Sequence, residues 1–98
     1  MKIIAGKHKG KEIVSSNDYS IRPTTNRIKE SIFNILQDFC TDKLVLDLFS
    51  GSGNLGFEAL SRGAKKIVFV EKSINSIKII EKNIEKLTSH FIEEHEKD

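Results

Sequence analysis

Ninety-eight residues, 38% hydrophobic and 31% charged, make one small domain with a modest core, short for a complete doubly wound fold. Sixteen Lys and Arg against 14 Asp and Glu leave a net charge of +2, too little to argue for nucleic acid by itself. One cysteine, Cys40, excludes an intramolecular disulfide and a multi-cysteine zinc site, and no run approaches the ~20 apolar residues of a membrane span.

Residues 2–5 and 11–14 are short β-prone runs around Gly6-Lys7-His8-Lys9-Gly10, the pattern of a hairpin with a glycine-bounded turn. Lys7, Lys9 and Lys11 alternate, so an extended chain would place three cations on one face to track phosphates; a solvated hairpin tip is the plainer reading. Residues 15–23 form a polar connector containing the only proline, Pro23. Thr25 or Asn26 then caps a helix to about Asp38, with an apolar stripe of Ile28, Ile32, Ile35, Leu36 and Phe39. Arg27 and Lys29 fall on its polar face and are expected in solvent. Cys40, just beyond, is expected as a buried or half-buried structural thiol.

Leu44–Phe49 is a nearly continuous apolar run, as in a strand covered on both faces. A helix from about Gly53 to Arg62 stops at Gly63, a good left-handed terminator. Lys66–Glu71 reads as a second, parallel strand. Ser73 caps a third helix carrying Ile77, Ile80, Ile84, Leu87 and Phe91, and the polar stretch from His90 to Asp98 is expected to fray. Charge is uneven: residues 1–30 carry seven Lys or Arg against three acids, and residues 81–98 carry three against six. A basic front fits an RNA-facing N-terminus, although solvated surface accounts for it too.

The most informative stretch joins the two strands. Gly51, Gly53 and Gly56 follow an apolar run and open an amphipathic segment, the strand–turn–helix context of the dinucleotide fingerprint. Gly51 lets the chain reverse, Gly53 lets backbone approach a ligand, and Gly56 permits close helix–strand contact. Glu71, twenty positions after Gly51, can accept hydrogen bonds from ribose hydroxyls. Asp47, at the end of the first strand, would repel a pyrophosphate but attract a ligand bearing an amine and a sulfonium, so S-adenosylmethionine is favoured. The alternatives are a nicotinamide dinucleotide, with Lys72 on a 2′-phosphate, and a turn whose glycines serve packing alone. His8, His90 and His95 lack metal-ligand spacing, and no metal site is expected.

The run Asp-Leu-Phe-Ser-Gly-Ser-Gly-Asn-Leu-Gly-Phe-Glu-Ala-Leu-Ser-Arg-Gly-Ala at 47–64 resembles the first motif of the RsmD-type small-subunit ribosomal RNA guanine-N2 methyltransferases. The block Met1–Gly10 resembles that family's opening and Ile21–Leu36 its next landmark, so the resemblance covers about residues 1–87. It implies an α/β fold: an N-terminal β-hairpin plus a partial Rossmann-like (class I) methyltransferase fold, truncated after the second parallel strand and its helix. The corresponding division is 1–23 for hairpin and connector, 24–89 for the cofactor-binding part, and 90–98 for a polar tail.

The resemblance further implies methyl transfer from S-adenosylmethionine to a guanine N2 of small-subunit ribosomal RNA, in the cytoplasm. Cofactor contacts would come from Arg22, Thr24, Asp47, Phe49, Gly51, Ser52, Gly53, Asn54, Glu71 and Lys72, and RNA contacts from Lys7, Lys9 and Lys11. Arg22 and the neighbouring Thr hydroxyls would close one side of the pocket, unless Arg22-Pro23-Thr24-Thr25 is only a helix start. The family's Asn/Asp-Pro-Pro-Tyr/Phe tetrad, which holds the target amine, cannot be formed with one proline, so no catalytic residue is expected here and the isolated chain is expected to be inactive. A catalytically inactive cofactor- or RNA-binding remnant, or a nicotinamide-binding half domain, are the competing readings. Unpaired sheet edges would let the isolated chain self-associate.

Overall fold

The computed structural model describes residues 2–14, 26–48 and 50–97, with side chains as far as Leu87. In chain order they form α1 (Asn26–Leu36), β1 (Leu44–Leu48), α2 (Asn54–Ser61), β2 (Lys66–Val70) and α3 (Ile74–Lys97), preceded by an N-terminal ribbon. The connector, Pro23, the Thr25 cap and Phe49 lie outside the described residues, as does the side chain of Phe91.

The two strands pair in parallel, Leu44 opposite Lys66 through Leu48 opposite Val70. Partners across a parallel pair share a face, so Val45, Asp47, Ile67 and Phe69 point one way and Leu44, Leu46, Leu48, Val68 and Val70 the other. All three helices pack on the first face. Phe33 of α1 clusters with Cys40, Ala59 and Ala64 against Val45, Leu55 and Ile67, while Ile80 and Leu87 of α3 join Phe57, Ile3 and Ile13 against Phe69. Cys40 is buried there as a free thiol, as expected. The second face is bare: Leu44, Leu46 and Leu48 are 68%, 57% and 56% exposed. The expectation of a strand covered on both faces is therefore corrected: no described element lies over its leucines.

α1 ends at Leu36, before the expected Asp38, because Gln37 turns left-handed (φ 51°) while its N–H still reaches the Phe33 carbonyl at 2.7 Å. Its buried face also differs from the apolar stripe. Lys29 and Phe33 are buried, whereas Ile28, Ile35 and Phe39 are exposed. Similarly, α3 buries Ser76, Ile80, Asn83 and Leu87, and leaves Ile77 and Ile84 exposed. Its cap is as expected: the Ser76 N–H donates to Ser73 Oγ at 3.4 Å. The helix continues to Lys97, past the expected start of a frayed tail.

α2 is buried almost all round because the sheet, the ribbon, α1 and α3 surround it. Gly56 meets the sheet: a Cβ there would fall against the Phe69 ring, 2.9 Å from Ile67 Cγ2 and 3.0 Å from Asp47 Oδ2. The N-terminal ribbon, pinned by one antiparallel bridge between Lys2 and Glu12 rather than by two full strands, lies along another side. Residues 2 to 8 run parallel to α2, with Lys2 near Asn54, Ile4 and Ala5 at Glu58, and Lys7 and His8 at Ser61. No helix among the described residues is long and apolar enough to cross a membrane.

Candidate functional site

The polypeptide leaves β1 and reverses at residues 50–53, beside the end of β2. The Ser50 N–H donates to the Val70 carbonyl at 3.2 Å, and the Gly53 N–H closes a turn onto the Ser50 carbonyl at 2.8 Å. Gly53 adopts φ +82°, where a side chain is strained, and its missing Cβ would stand 2.6 Å from Phe57 Cε2 and 3.1 Å from Phe69 Cε1. This glycine thus serves the core beneath the loop.

Glu71, just past β2, organises the loop from the other strand. Its Oε2 accepts the Gly51 N–H at 2.7 Å, while Oε1 accepts those of Lys72 at 2.9 Å and Ser73 at 3.0 Å. The Ser73 and Gly51 N–H groups hold this carboxyl below its ordinary pKa, outweighing a small opposing effect of burial. A carboxylate offers about four lone-pair sites, and among the described residues three are taken. One acceptor site on Oε2 therefore remains for a ligand, so the expected grip on both ribose hydroxyls would require a backbone bond to yield.

Asp47 points under the first turn of α2, where Oδ2 accepts the Gly56 N–H at 3.0 Å. Burial raises its pKa, the Gly56 bond partly offsets that, and the charge of Glu71 raises it further. Two carboxylates therefore flank the loop closely enough to sense one another. An apolar cleft of about 180 Å³ opens beside Asp47, lined in part by Ile32, Phe33, Leu36 and Leu55.

Asp47, Gly51, Ser52, Gly53, Asn54, Glu71 and Lys72 are thus gathered where β1 and β2 end. Two of them face inward. Asn54 is buried, with Oδ1 accepting from Lys29 Nζ at 2.9 Å, and Ser52 is buried, with its carbonyl accepting from Asn83 Nδ2 at 3.1 Å. The Lys72 side chain is exposed, and Arg22, Thr24 and Phe49 lie outside the described residues.

The expected phosphate-tracking face is corrected in its geometry. Residues 5–10 form successive turns, with Lys9 N–H to the Gly6 carbonyl and Lys11 N–H to the His8 carbonyl, both at 3.1 Å, so alternate lysines do not line an extended strand. All three remain exposed. The turn is docked on the far end of α2, where Lys7 N–H meets the Ser61 carbonyl at 2.7 Å and His8 N–H meets Ser61 Oγ at 2.8 Å. It therefore stands one eight-residue helix, roughly 12 Å, from the glycine loop. His8 between these cations is pushed below its ordinary pKa by burial, then by Lys11 and Lys7.

A buried ionic network joins ribbon, α1 and α2. Lys29, expected in solvent, is 0% exposed; its Nζ donates to the Lys2 carbonyl at 2.8 Å and pairs with Glu58 Oε1 at 3.1 Å. Glu58 also accepts from Ile4 N–H, Ala5 N–H and Arg62 Nε. Burial alone would raise its pKa, but the Ile4 bond, Arg62 and Lys29 together hold it below its ordinary value. One sequence signal pointed here: a carboxylate inside the apolar helix Asn54–Ser61 demands a cation. Nothing in the sequence distinguished Asn83, a polar residue on a mostly polar helix.

The whole chain, residues 1–98, matches the family model described as conserved hypothetical protein 95. It is 41% identical over 92 residues to a putative rRNA methyltransferase, YlbH, of Bacillus subtilis, covering 92% of this chain and 50% of that protein. It is 42% identical over 87 residues to the ribosomal RNA small subunit methyltransferase D of Haemophilus influenzae, covering 89% and 45%. The solved structure of the putative methyltransferase yhhF from Escherichia coli superposes with a TM-score of 0.79 at 35% identity, covering 90% of this chain and 47% of that one. The chain spans about half the length of the curated relatives it matches.

Proposed function

From the premise that this chain belongs to the conserved hypothetical protein 95 family, together with the small-subunit ribosomal RNA methyltransferases D, we propose that it is the cofactor-holding part of an S-adenosylmethionine-dependent enzyme. Its reaction is methyl transfer to the exocyclic N2 of a guanine in small-subunit ribosomal RNA, in the cytoplasm. The observation that carries the choice of ligand is the pair of carboxylates at the loop, Glu71 held by the Gly51 N–H and Asp47 by the Gly56 N–H. A pyrophosphate placed there meets two like charges, which disfavours a nicotinamide dinucleotide. A ribose and an ammonium meet an acceptor and a counter-charge.

The residues fit adenosylmethionine on that ground. Glu71 keeps one acceptor site on Oε2 for a ribose hydroxyl, and Asp47, whose Oδ2 is held by the Gly56 N–H, turns a second carboxylate oxygen to the ammonium, whose charge offsets the burial cost of that carboxyl. Gly51 contributes backbone, while Ser52, Gly53 and Asn54 support the loop from below. When bound, the cofactor supplies an electrophilic methyl group on a sulfonium. The exposed Lys7, Lys9 and Lys11 meet RNA phosphates, and the groups that grip the target guanine lie outside these 98 residues, whose only proline is Pro23. Calorimetric titration with adenosylmethionine and, separately, NADH tests the ligand; binding of NADH alone would overturn the reading.

A further inference from the structure

Two side chains from different helices tie the N-terminal ribbon to the junction of the glycine loop with α2. Asn83 of α3 is 1% exposed. Its Oδ1 accepts the Val14 N–H at 2.8 Å, and its Nδ2 donates to the carbonyls of Val14 and Ser52, both at 3.1 Å. Lys29 of α1 donates to the Lys2 carbonyl at 2.8 Å and to Asn54 Oδ1 at 2.9 Å. Lys2 and Val14 are the two ends of the ribbon, and Ser52 and Asn54 flank Gly53. Both ends of the ribbon are therefore fastened at the junction of the loop with α2, one to Ser52 and one to Asn54. The ribbon's tip, the turn with Lys7, Lys9 and Lys11, is anchored separately on Ser61. A leucine could fill the volume of Asn83 but could make none of its three hydrogen bonds. Because buried polar groups are costly to leave without partners, displacement of the loop carries the ribbon with it.

We propose that Asn83, assisted by Lys29, is a positioning residue that couples the glycine loop to the lysine turn, so that cofactor and RNA bind with positive cooperativity. The proposal rests on the cofactor and RNA assignments above. A ligand that orders the loop also orders the ribbon, and the second ligand then meets a segment already set. Linkage requires the effect to be reciprocal: RNA must tighten the cofactor by the same factor as the cofactor tightens RNA.

The test uses the intact protein, with S-adenosylhomocysteine as a cofactor probe that does not turn over and unmethylated small-subunit ribosomal RNA as the second ligand. Affinity for each is measured with and without the other, in the unmodified protein and in Asn83→Leu. The unmodified protein should show mutual tightening of about 5-fold or more, falling to within about 2-fold of unity in the variant while each ligand still binds alone. A variant that weakens both ligands but preserves the coupling ratio would mark Asn83 as merely structural and overturn the proposal. So would an unmodified protein with no coupling. If Asn83→Leu fails to fold, amide exchange in the unmodified protein decides: RNA must slow exchange at Gly51 and Gly53, and unchanged rates there overturn the coupling. Failure of the underlying assignment is separable, because S-adenosylhomocysteine would then not bind the unmodified protein even without RNA.

Discussion

Removing the Glu71 carboxylate, by Glu71→Ala, should weaken adenosylmethionine by an amount the loop geometry sets. Three acceptor sites are spent on the Lys72, Ser73 and Gly51 N–H groups, which leaves one for the ribose. One hydrogen bond to a charged group is worth about 1.5–3 kcal/mol, or roughly 10- to 150-fold in Kd. Release of the Gly51 N–H adds to the loss by loosening the loop, so the upper half of that range is expected. Glu71→Gln, with one carbonyl oxygen to share among the backbone donors, should fall between the two. Isothermal titration of the three proteins, with circular dichroism to establish that each is folded, measures the effect. Unchanged affinity in both variants would refute the placement of the ribose at Glu71.

Gly53→Val should cripple the same site from beneath, because the new Cβ at φ +82° collides with Phe57; a melting temperature equal to that of the unmodified protein would contradict this. Replacing Lys7, Lys9 and Lys11 together with Gln should lower RNA affinity and reduce the log–log salt slope by about 2–3, at ~0.7–0.9 per phosphate contact, measured by filter binding across a salt series. Lys29→Met should cost about 3 kcal/mol in denaturant unfolding, the low end for a broken buried pair because Arg62 still meets Glu58. Because the folded state holds Glu58 below its ordinary pKa, its contribution is complete above about pH 4.3 and is lost as pH falls through the folded value; acid melts of Glu58→Gln should show a smaller loss. The isolated chain, with Leu44, Leu46 and Leu48 on a bare face, should self-associate in light scattering and transfer no tritium from labelled adenosylmethionine to RNA, and a stable monomer that methylates RNA would overturn that expectation.

Local signals were strong wherever the backbone itself was constrained. The glycine run, the apolar strands and the Ser73 cap placed β1, α2, β2 and the start of α3 to within a residue or two, because left-handed turns, parallel strands and caps each need particular residue types at particular spacings. The separation of twenty residues pointed to Glu71 as a ribose acceptor beside the glycine loop, but not to the bond by which its Oε2 is already held by the Gly51 N–H. Which face of a helix is buried was not legible. On α1 and α3 the apolar count favoured Ile28, Ile35, Ile77 and Ile84, but burial went to Ser76 and to Lys29 and Asn83, the last two because polar backbone from the ribbon and loop needed partners there.

The amino-acid order by itself determined a βαβα path with a glycine loop between two carboxylates, because those features depend on neighbours along the chain. Only the tertiary structure decided that Lys29 is buried against Glu58 and that Asn83 joins Val14 to Ser52. Those pairs span from 29 to 69 residues of sequence, and each exists only because packing removes water from groups that must then find one another.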